Sequence, residues 1–333
     1  MDENLPVIRI SVRNLVEFIL REGDIDNRTG GGQDPENMQM GSRIHRKIQR
    51  QMGSDYQAEV PLKTEIVCDG FILKIEGRAD GLIHTKEQVM VDEIKGVLRE
   101  LDRVQEPAGI HLAQAKCYAS MVAEQEGVDE IGVQMTYCQM ETEEVKRFQY
   151  SYQSNELKVW FDEVIRQYEK WAKFQIEWRK ARNASIKGIE FPFPYRKGQR
   201  ELAVSVYRTI LRKKKLFIQA PTGVGKTIST VFPAVKAVGE ELGEKIFYLT
   251  AKTITRTVAE QAFETLREQN LKFKAITLTA KEKICFCEET SCNPDDCPYA
   301  KGHFDRVNDA VYDLLQKENN MTREVLLAHA KEY

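Results

Sequence analysis

The chain has 333 residues, of which 42% are hydrophobic and 30% are charged, and this is enough apolar material for two folded domains. The 49 basic and 51 acidic residues leave a net charge of -2, so bulk charge gives no argument for a polyanionic partner and a nucleic-acid site has to be local. The sequence has no secretory signal pattern and no apolar run long enough to span a bilayer, so we expect a cytoplasmic protein without a membrane partner.

The first 185 residues alternate between helical and strand patterns. Apolar residues at helical spacing predict helices over residues 11–22, from about 41, over 108–126 and over 154–182. Short runs rich in β-forming residues predict strands between 58 and 95, over 130–138 and over 144–152. We therefore expect a mixed α/β domain over residues 1–185.

Carboxylates and a lysine fall at the ends of two neighbouring predicted strands. Asp80 lies in the sequence GRADG, and the next strand contains Glu93 and Lys95 in the sequence DEIKG. Glu93 and Lys95 are two residues apart, so strand alternation directs both to one face and turns Asp92 to the other. Asp80 and Glu93 are suited to hold Mg²⁺ or Mn²⁺ through oxygen ligands. The alternative is an ion-pair ladder on an exposed sheet.

This arrangement resembles the core of PD-(D/E)XK nucleases, which implies a restriction-endonuclease-like mixed sheet flanked by helices. In such a site Lys95 orients the attacking water or stabilises the charge that develops on phosphorus, and the carbonyl of Ile94 is a further metal ligand. His45, on a preceding helix, and Gln114 and Tyr118, at i and i+4 on a following helix, extend the resemblance to RecB-type exonucleases. There His45 would bind the metal, while Gln114 and Tyr118 would support the site and the DNA phosphate.

A second set of motifs follows a stiff, proline-rich connector at residues 186–195. A helix over 198–212 precedes a predicted βαβ unit, with strands at 216–220 and 245–251 and a glycine-rich loop between them. The loop follows a strand and opens a helix, which is the context of a Walker A phosphate loop. Its candidate nucleotide-binding residues are Thr222, Gly223, Val224, Gly225, Lys226 and Thr227. The backbone N–H groups of the loop and the Lys226 ammonium are suited to hold the phosphates, and the Thr227 hydroxyl is suited to bind the Mg²⁺ that accompanies them.

The phosphate loop, with Ala220 at its first position, resembles that of superfamily 2 helicases. Gln199 is placed like the adenine-reading glutamine of such helicases, although a solvated helix N-terminus explains it equally well. Thr250 and Lys252 lie in a segment that resembles helicase motif Ia, which contacts the DNA backbone. The resemblance implies the first part of a RecA-like domain over residues 196–280, with ATP and DNA as ligands.

Four cysteines crowd into thirteen residues: Cys285, Cys287, Cys292 and Cys297. Four thiolates can hold a [4Fe-4S] cluster, and the spacing lacks the CxxC pairs of most structural zinc sites, but zinc stays open on spacing alone. The loop over 281–303 follows the motif Ia-like segment, which resembles the position of the iron–sulfur insertion in XPD/DinG-type helicases. The one-residue gap before Cys287 departs from XPD itself.

Taken together, the resemblances imply the front part of a bacterial DNA-repair nuclease–helicase that acts on single-stranded or tailed DNA. Residues 304–333 are predicted as helices that begin an arch region, and motifs II and VI of a helicase are absent from the sequence. We therefore expect a fragment that cuts DNA and binds ATP but does not unwind. Two alternatives stay open: a motor whose first domain binds DNA without cutting, and a zinc-stabilised P-loop scaffold.

Overall fold

The computed structural model describes residues 5–28, 35–221, 223–250 and 253–333. The chain forms two compact units, each made of two stretches. The first unit contains Met1–Lys173 and Ser291–Asn308, and the second contains Phe174–Thr290 and Asp309–Tyr333. The unit boundaries thus fall inside the helix predicted at 154–182 and inside the cysteine loop, and they do not follow the predicted domain ends at 185 and 303.

The described residues form eight strands. In chain order these are β1 (Val7–Ser11), β2 (Tyr56–Cys68), β3 (Phe71–His84), β4 (Val89–Val97), β5 (Glu130–Gln139), β6 (Val145–Gln153), β7 (Ala275–Ile276) and β8 (Asn320–Met321). The expected mixed α/β architecture is confirmed for the first unit. β1 was not predicted, and the short runs expected between 58 and 95 form three strands, of which β3 is continuous over Phe71–His84.

The helices lie between and after these strands. They are α1 (Val12–Ile19), α2 (Pro35–Gln51), α3 (Gly109–Glu126), α4 (Ser154–Gly188), α5 (Gln199–Leu211), α6 (Lys226–Gly239), α7 (Thr253–Arg267), α8 (Lys281–Ile284), α9 (His303–Lys317) and α10 (Arg323–Ala330), with a 3₁₀ turn at Leu101–Arg103. α2 begins about six residues before its predicted start, at a proline, which fits a first helical turn because that position needs no N–H. No helix among the described residues is both long and apolar enough to cross a membrane.

One six-stranded mixed sheet organises the first unit. Its strands run in the order β1-β3-β4-β5-β6, and β2 pairs with the other edge of β3. β1 pairs with β3 in parallel and β4 pairs with β5 in parallel, whereas the remaining pairs are antiparallel. The sheet therefore mixes both strand directions, as the alternation of helices and strands in the sequence suggests.

The edge of β3 that faces β1 and β4 changes partner along its length. Pairing with β1 ends at Glu76, and pairing with β4 begins at Gly81. Residues 77–80 thus lie between two partner strands, where the described residues record no ladder pairing on this edge. This interruption leaves room for the side chain of Asp80 to reach toward β4.

Helix α2 packs over the sheet at this interruption. Ile44 and Ile48, one helical turn apart, pack with Ile94 of β4 and Cys138 of β5, and all four are buried. This small apolar cluster fixes the helix against β4. Because His45 follows Ile44 directly, the packing directs it to the neighbourhood of Asp80.

The second unit has a core of its own, built from the end of α4 with α6 and α7. Its buried members include Ile186, Val235 and Leu266. The two-residue strands β7 and β8 pair in parallel beside this core. The helices of the predicted βαβ unit are therefore present and packed.

The prediction of strands at 216–220 and 245–251 is wrong for the described residues, because 216–220 and 245–250 have no regular secondary structure. Their large apolar side chains lie open: Phe217 is 92% exposed, Phe247 77% and Leu249 89%. A strand is stable only when its backbone pairs with a neighbour and one face is covered. An apolar run predicts burial but supplies neither the partner nor the cover.

Candidate active site

Two of the predicted metal ligands, His45 and Asp80, are brought together by α2 and β3. His45 Nδ1 lies 3.2 Å from Asp80 Oδ1, and Asp80 Oδ2 accepts a 2.8 Å hydrogen bond from the backbone N–H of Ile94. Burial lowers the pKa of His45, but the hydrogen bond and charge of Asp80, together with the charge of Glu93, outweigh it and hold the pKa above its usual value. Asp80 therefore spans the interruption between β3 and β4.

The predicted pair of Glu93 and Lys95 lies on β4. Lys95 Nζ is 2.8 Å from Glu93 Oε1, as expected for side chains that share one face of a strand. Glu93 is 2% exposed, and its other oxygen, Oε2, is buried without a hydrogen-bond partner. Burial raises the pKa of Glu93 to about 7, against the opposing charge of Lys95. A buried carboxylate oxygen without a donor is costly unless a cation or a proton satisfies it.

Helix α3 brings the remaining predicted residues to the site. Lys95 Nζ donates a 3.1 Å hydrogen bond to Gln114 Oε1, so Gln114 holds the ammonium. The Tyr118 hydroxyl accepts a 3.3 Å hydrogen bond from the backbone N–H of Arg78, and burial raises the pKa of Tyr118 to about 12. A Cβ on Gly77 would lie 2.6 Å from that hydroxyl, so only glycine lets the tyrosine approach β3.

Two residues that the sequence did not single out hold the backbone at Asp80. Gln49 Nε2 donates a 2.9 Å hydrogen bond to the Asp80 carbonyl, and the Tyr56 hydroxyl lies 3.3 Å from the same carbonyl. Tyr56 reaches this position across Gly81, where a Cβ would lie 2.0 Å from the tyrosine ring. A glycine inside a strand marks such a close approach. That glycine was the available signal, but the sequence does not say which aromatic side chain covers it.

Asp92 turns away from Glu93 into a buried polar cluster. The carboxylate is fully buried and accepts hydrogen bonds from Thr136 Oγ1 at 2.6 Å, Gln134 Nε2 at 3.0 Å and the Tyr56 hydroxyl at 3.1 Å. Burial raises the pKa of Asp92, although these three hydrogen bonds oppose the rise. Asp92 thus anchors Tyr56 and takes no place beside Glu93.

The donor set suits a hard divalent cation. Two carboxylates and an imidazole are ligands that Mn²⁺ accepts readily and Mg²⁺ accepts in part, and the unpartnered Glu93 oxygen is a site for positive charge. The ligand atoms of His45, Asp80 and Glu93 do not all lie within 4.8 Å of one another. Among the described residues, the group that does is Asp313, His329 and Glu332.

Local contacts account for that second group without a metal. Lys317 Nζ lies 2.7 Å from the Asp313 carboxylate, and His329 Nε2 lies 2.9 Å from the Ala310 carbonyl. The carboxylate and the imidazole of the group are thus engaged by groups of the second unit itself. We assign no ion to it.

The glycine-rich loop of the second unit contains two left-handed glycines and leads directly into a helix. Gly223 and Gly225 have φ values of 81° and 75°, a left-handed conformation that glycine adopts without strain. Helix α6 begins at Lys226, directly after Gly225, so its first N–H groups face the loop. Lys226 Nζ lies 2.8 Å from the carbonyls of Ala220 and Pro221, which folds its ammonium over the loop.

The predicted adenine-reading residue, Gln199, adjoins this loop. It is buried at the start of α5, and a Cβ on Gly225 would lie 2.4 Å from its Nε2. Its Oε1 accepts a 3.0 Å hydrogen bond from the backbone N–H of Arg196, whose guanidinium in turn bonds the Gly223 carbonyl. The structure therefore joins Gln199 to the phosphate loop. Val224 and Thr227 lie in the same loop and first helical turn, and Thr222 is outside the described residues.

The structure describes one of the two residues predicted to contact the DNA backbone. Thr250 is exposed at the end of the irregular 245–250 segment, and Lys252 lies outside the described residues.

The four cysteines of the predicted cluster loop are divided between the two units: Cys285 and Cys287 belong to the second unit, whereas Cys292 and Cys297 belong to the first. None of these four cysteines forms a disulfide, and neither do the buried Cys68, Cys117 and Cys138.

Cys292 and Cys297 lie in a segment that packs on the start of the first unit. The Cys292 carbonyl accepts a 2.8 Å hydrogen bond from the Asn27 N–H, and the Ala300 carbonyl accepts a 2.9 Å bond from the Ile25 N–H. Arg28 Nη1 adds a 2.6 Å ion pair with Asp295. Half of the cysteine set is thereby built into the unit that contains Asp80 and Glu93.

Residues 200–287 match the family model of DEAD/DEAH box helicases. Over 121 residues the chain is 31% identical to the probable ATP-dependent helicase MJ0942 of Methanocaldococcus jannaschii, a match that covers 36% of this chain and 18% of the relative. A solved structure described as "Crystal structure of SSO0001" aligns with a TM-score of 0.32 and 18% identity, over 50% of this chain and 76% of the other. The part of the chain that contains the glycine-rich loop is thus similar to DEAD/DEAH box helicases, and a stretch of the chain is similar to an archaeal protein named as a probable helicase.

Proposed function

We propose that the first unit is a metal-dependent deoxyribonuclease and that the second unit binds ATP as part of a DNA helicase motor. The observation that carries the nuclease proposal is the buried Glu93 carboxylate, which has an unpartnered oxygen and Lys95 at 2.8 Å. A surface ion-pair ladder, the alternative interpretation, would leave Glu93 exposed. A carboxylate buried at this cost is typical of a site that binds a cation.

In this proposal Asp80 and Glu93 hold Mg²⁺ or Mn²⁺, with His45 and the Ile94 carbonyl as further ligands. The ion would lower the pKa of a bound water and neutralise charge on the scissile phosphate. Lys95, held between Glu93 and Gln114, orients the attacking water or stabilises charge on the phosphate oxygens. Asp80 Oδ2 accepts the Ile94 N–H bond, and Asp80 Oδ1 lies 3.2 Å from His45 Nδ1. For both side chains to bind the ion, His45 would have to be neutral, because a protonated imidazole has no lone pair to offer.

The test is a cleavage assay with the full chain, because residues 291–308 belong to the first unit and a 1–185 truncation would remove them. A labelled single strand with Mn²⁺ is the substrate, and Asp80→Ala should abolish cleavage and weaken Mn²⁺ binding. The control is Asp69→Ala, since this carboxylate is 93% exposed and pairs only with Lys173 among the contacts of the described residues. Equal cleavage by Asp80→Ala and wild type would reject the site.

ATP binding rests on the left-handed glycines, the Lys226 ammonium and the DEAD/DEAH match. The chain spans less than a fifth of its archaeal relative in the matched region, so unwinding by the whole protein is part of the proposal. Lys226→Ala should abolish binding of a fluorescent ATP analogue and leave DNA cleavage intact. If wild type binds DNA and ATP but never cuts DNA with any divalent metal, the alternative function is favoured, which is an ATP-dependent motor whose first domain only binds DNA.

A [4Fe-4S] cluster on Cys285, Cys287, Cys292 and Cys297 completes the proposal. Four cysteines that form no disulfide and lie within one loop fit a cubane cluster by their number and chemistry. The anaerobically purified chain should absorb at about 400 nm and contain iron and sulfide in equal amounts. Zinc without sulfide would favour the scaffold alternative. A cytoplasmic role in DNA repair follows only if both the nuclease and the motor proposals hold.

A further inference from the structure

A pocket of about 590 Å³ opens beside the nuclease site, on the side of His45. This volume lies in the range of small-ligand pockets. One wall is a single face of α2, because its residues follow helical spacing, and the other wall is formed by β2 and β3. The polar side chains that line it are Ser42, His45, Arg46, Gln49, Glu59 and Arg78.

The two guanidinium groups of this pocket flank the predicted metal ligands. Arg46 follows His45 in the sequence, and Arg78 precedes Asp80 by two residues on β3. The Arg78 side chain is 65% exposed and lies 3.0 Å from Glu59. Arg46 donates a 3.2 Å hydrogen bond to the Ser42 carbonyl, and the described residues give it no carboxylate partner.

The other cations of α2 lie outside the pocket. Arg43 and Lys47 both pair with Glu143, and neither they nor Arg50 lines the pocket. Arg46 and Arg78, against Glu59 alone, leave the pocket with a local positive charge. In a chain with a net charge of -2, such a local excess is the kind of feature that attracts a polyanion.

Hydrogen bonds link the Arg78 wall of the pocket to the backbone at Asp80. Glu59 accepts hydrogen bonds from Arg78 and from Gln49, and Gln49 also donates to the Asp80 carbonyl. Glu59 itself has a φ of 56°, a left-handed conformation that a non-glycine residue adopts only at an energetic cost. The conformation places its carboxylate between the two donors, so that Arg78 is oriented before any ligand binds.

We infer that this pocket binds backbone phosphates of the DNA strand next to the scissile bond, with Arg46 and Arg78 as the phosphate ligands. The inference rests on the proposed nuclease function and adds to it a direction for the strand, from the metal ligands toward α2. Guanidinium groups bind phosphate through paired N–H donors in a fixed geometry. Neither arginine touches the reacting atoms, so both act on DNA binding and not on the chemical step.

The experiment measures binding and cleavage of a fluorescent oligothymidylate by the full chain. Binding is followed by anisotropy in EDTA, and KM and kcat are measured with Mn²⁺. Arg46→Gln and Arg78→Gln should each weaken binding about tenfold and make the salt dependence shallower by about 0.7 per lost phosphate contact. KM should rise by a similar factor, while kcat at saturating DNA and Mn²⁺ affinity should stay within twofold of wild type.

Arg166→Gln is the matched control, because Arg166 is 69% exposed and also pairs with a glutamate, Glu163. It should bind DNA as wild type does. Thermal unfolding of each variant shows whether the fold is retained, and the double variant Arg46→Gln/Arg78→Gln should lose about a hundredfold in affinity if the sites are independent.

The outcomes separate this inference from the proposed function. If wild type cuts DNA but the double variant matches it in both Kd and KM, the phosphate pocket is refuted and the nuclease stands. If wild type binds without cutting and the variants bind more weakly, the pocket is supported and the nuclease is refuted. If wild type does not bind DNA at all, or if the variants lose Mn²⁺ affinity in proportion to DNA affinity, the inference is overturned.

Discussion

Replacing Glu93 by Gln should stabilise the metal-free protein at alkaline pH. Glu93 is 2% exposed, and burial raises its pKa from a usual 4.5 to about 7 despite the neighbouring Lys95. A raised pKa means that the folded state binds the proton more tightly than the unfolded state. The stability that this proton contributes is therefore complete below pH 4.5 and is lost as the pH rises through about 7.

The size of the effect follows from the shift. Each pKa unit is worth about 1.4 kcal/mol, so a rise from 4.5 to about 7 costs the ionised protein roughly 3 kcal/mol. Gln has the shape of the protonated side chain and does not titrate. Glu93→Gln should therefore match wild type near pH 4.5 and exceed it by up to about 3 kcal/mol at pH 8.

Urea unfolding in EDTA at several pH values measures this difference directly. Glu124→Gln is the control, since Glu124 is 62% exposed in a surface pair with Lys158, and it should stay within about 0.5 kcal/mol of wild type. Added Mn²⁺ should stabilise wild type and not Glu93→Gln. A Glu93→Gln variant that is destabilised equally at both ends of the pH range would refute the assignment of Glu93 as a strained metal ligand.

Three further predictions concern the residues around Asp80 and the pH dependence of metal binding. Gly81→Ala should lower the free energy of unfolding by about 1–3 kcal/mol in denaturant titration, because its Cβ would overlap the Tyr56 ring; a neutral result would contradict the close approach. Tyr56→Phe should cost about 1–3 kcal/mol by removing a donor from the buried Asp92, and Mn²⁺ affinity should fall with it; unchanged affinity would mean that Tyr56 does not position Asp80. Mn²⁺ affinity measured by calorimetry should rise with pH from 5.5 to 8, because the raised pKa values of Glu93 and His45 make protons compete with the metal. An affinity that does not change with pH would contradict the raised pKa values.

Residue spacing predicted the parts of the site that depend on one strand or one helix. The i, i+2 relation of Glu93 and Lys95 fixed their common face, and the i, i+4 relation of Gln114 and Tyr118 placed both toward β3 and β4. These relations are local, so they follow from backbone geometry alone. The same alternation turned Asp92 away, and the structure accounts for its new surroundings with Thr136 and Gln134.

Tertiary features of the site were beyond reach of the sequence. The interruption that accommodates Asp80 exists because β1, which was not predicted, pairs with β3 as far as Glu76. Tyr56 covers Gly81 from a neighbouring strand, and no spacing rule connects those positions. The partner of a residue across a sheet depends on strand order and register, which local patterns leave open.

The strands predicted beside the phosphate loop failed for a related reason. The runs at 216–220 and 245–251 are apolar enough to be buried strands, but apolar character does not state what buries them. In the described residues Phe217 and Leu249 remain open to solvent. The loop between them still has its left-handed glycines, because that conformation depends on local residue type.

The proposal that the first unit cuts DNA is tested most directly by Lys95→Ala, with Mn²⁺ occupancy and cleavage measured on the same preparation. Lys95 contacts Glu93 and Gln114 and contributes no metal ligand atom, so we expect Mn²⁺ still to bind. Single-strand cleavage should fall by about 10²- to 10³-fold, the usual cost of losing one charge-stabilising donor. Cleavage at the wild-type rate by this variant, or no cleavage by wild type at full Mn²⁺ occupancy, would contradict the proposal.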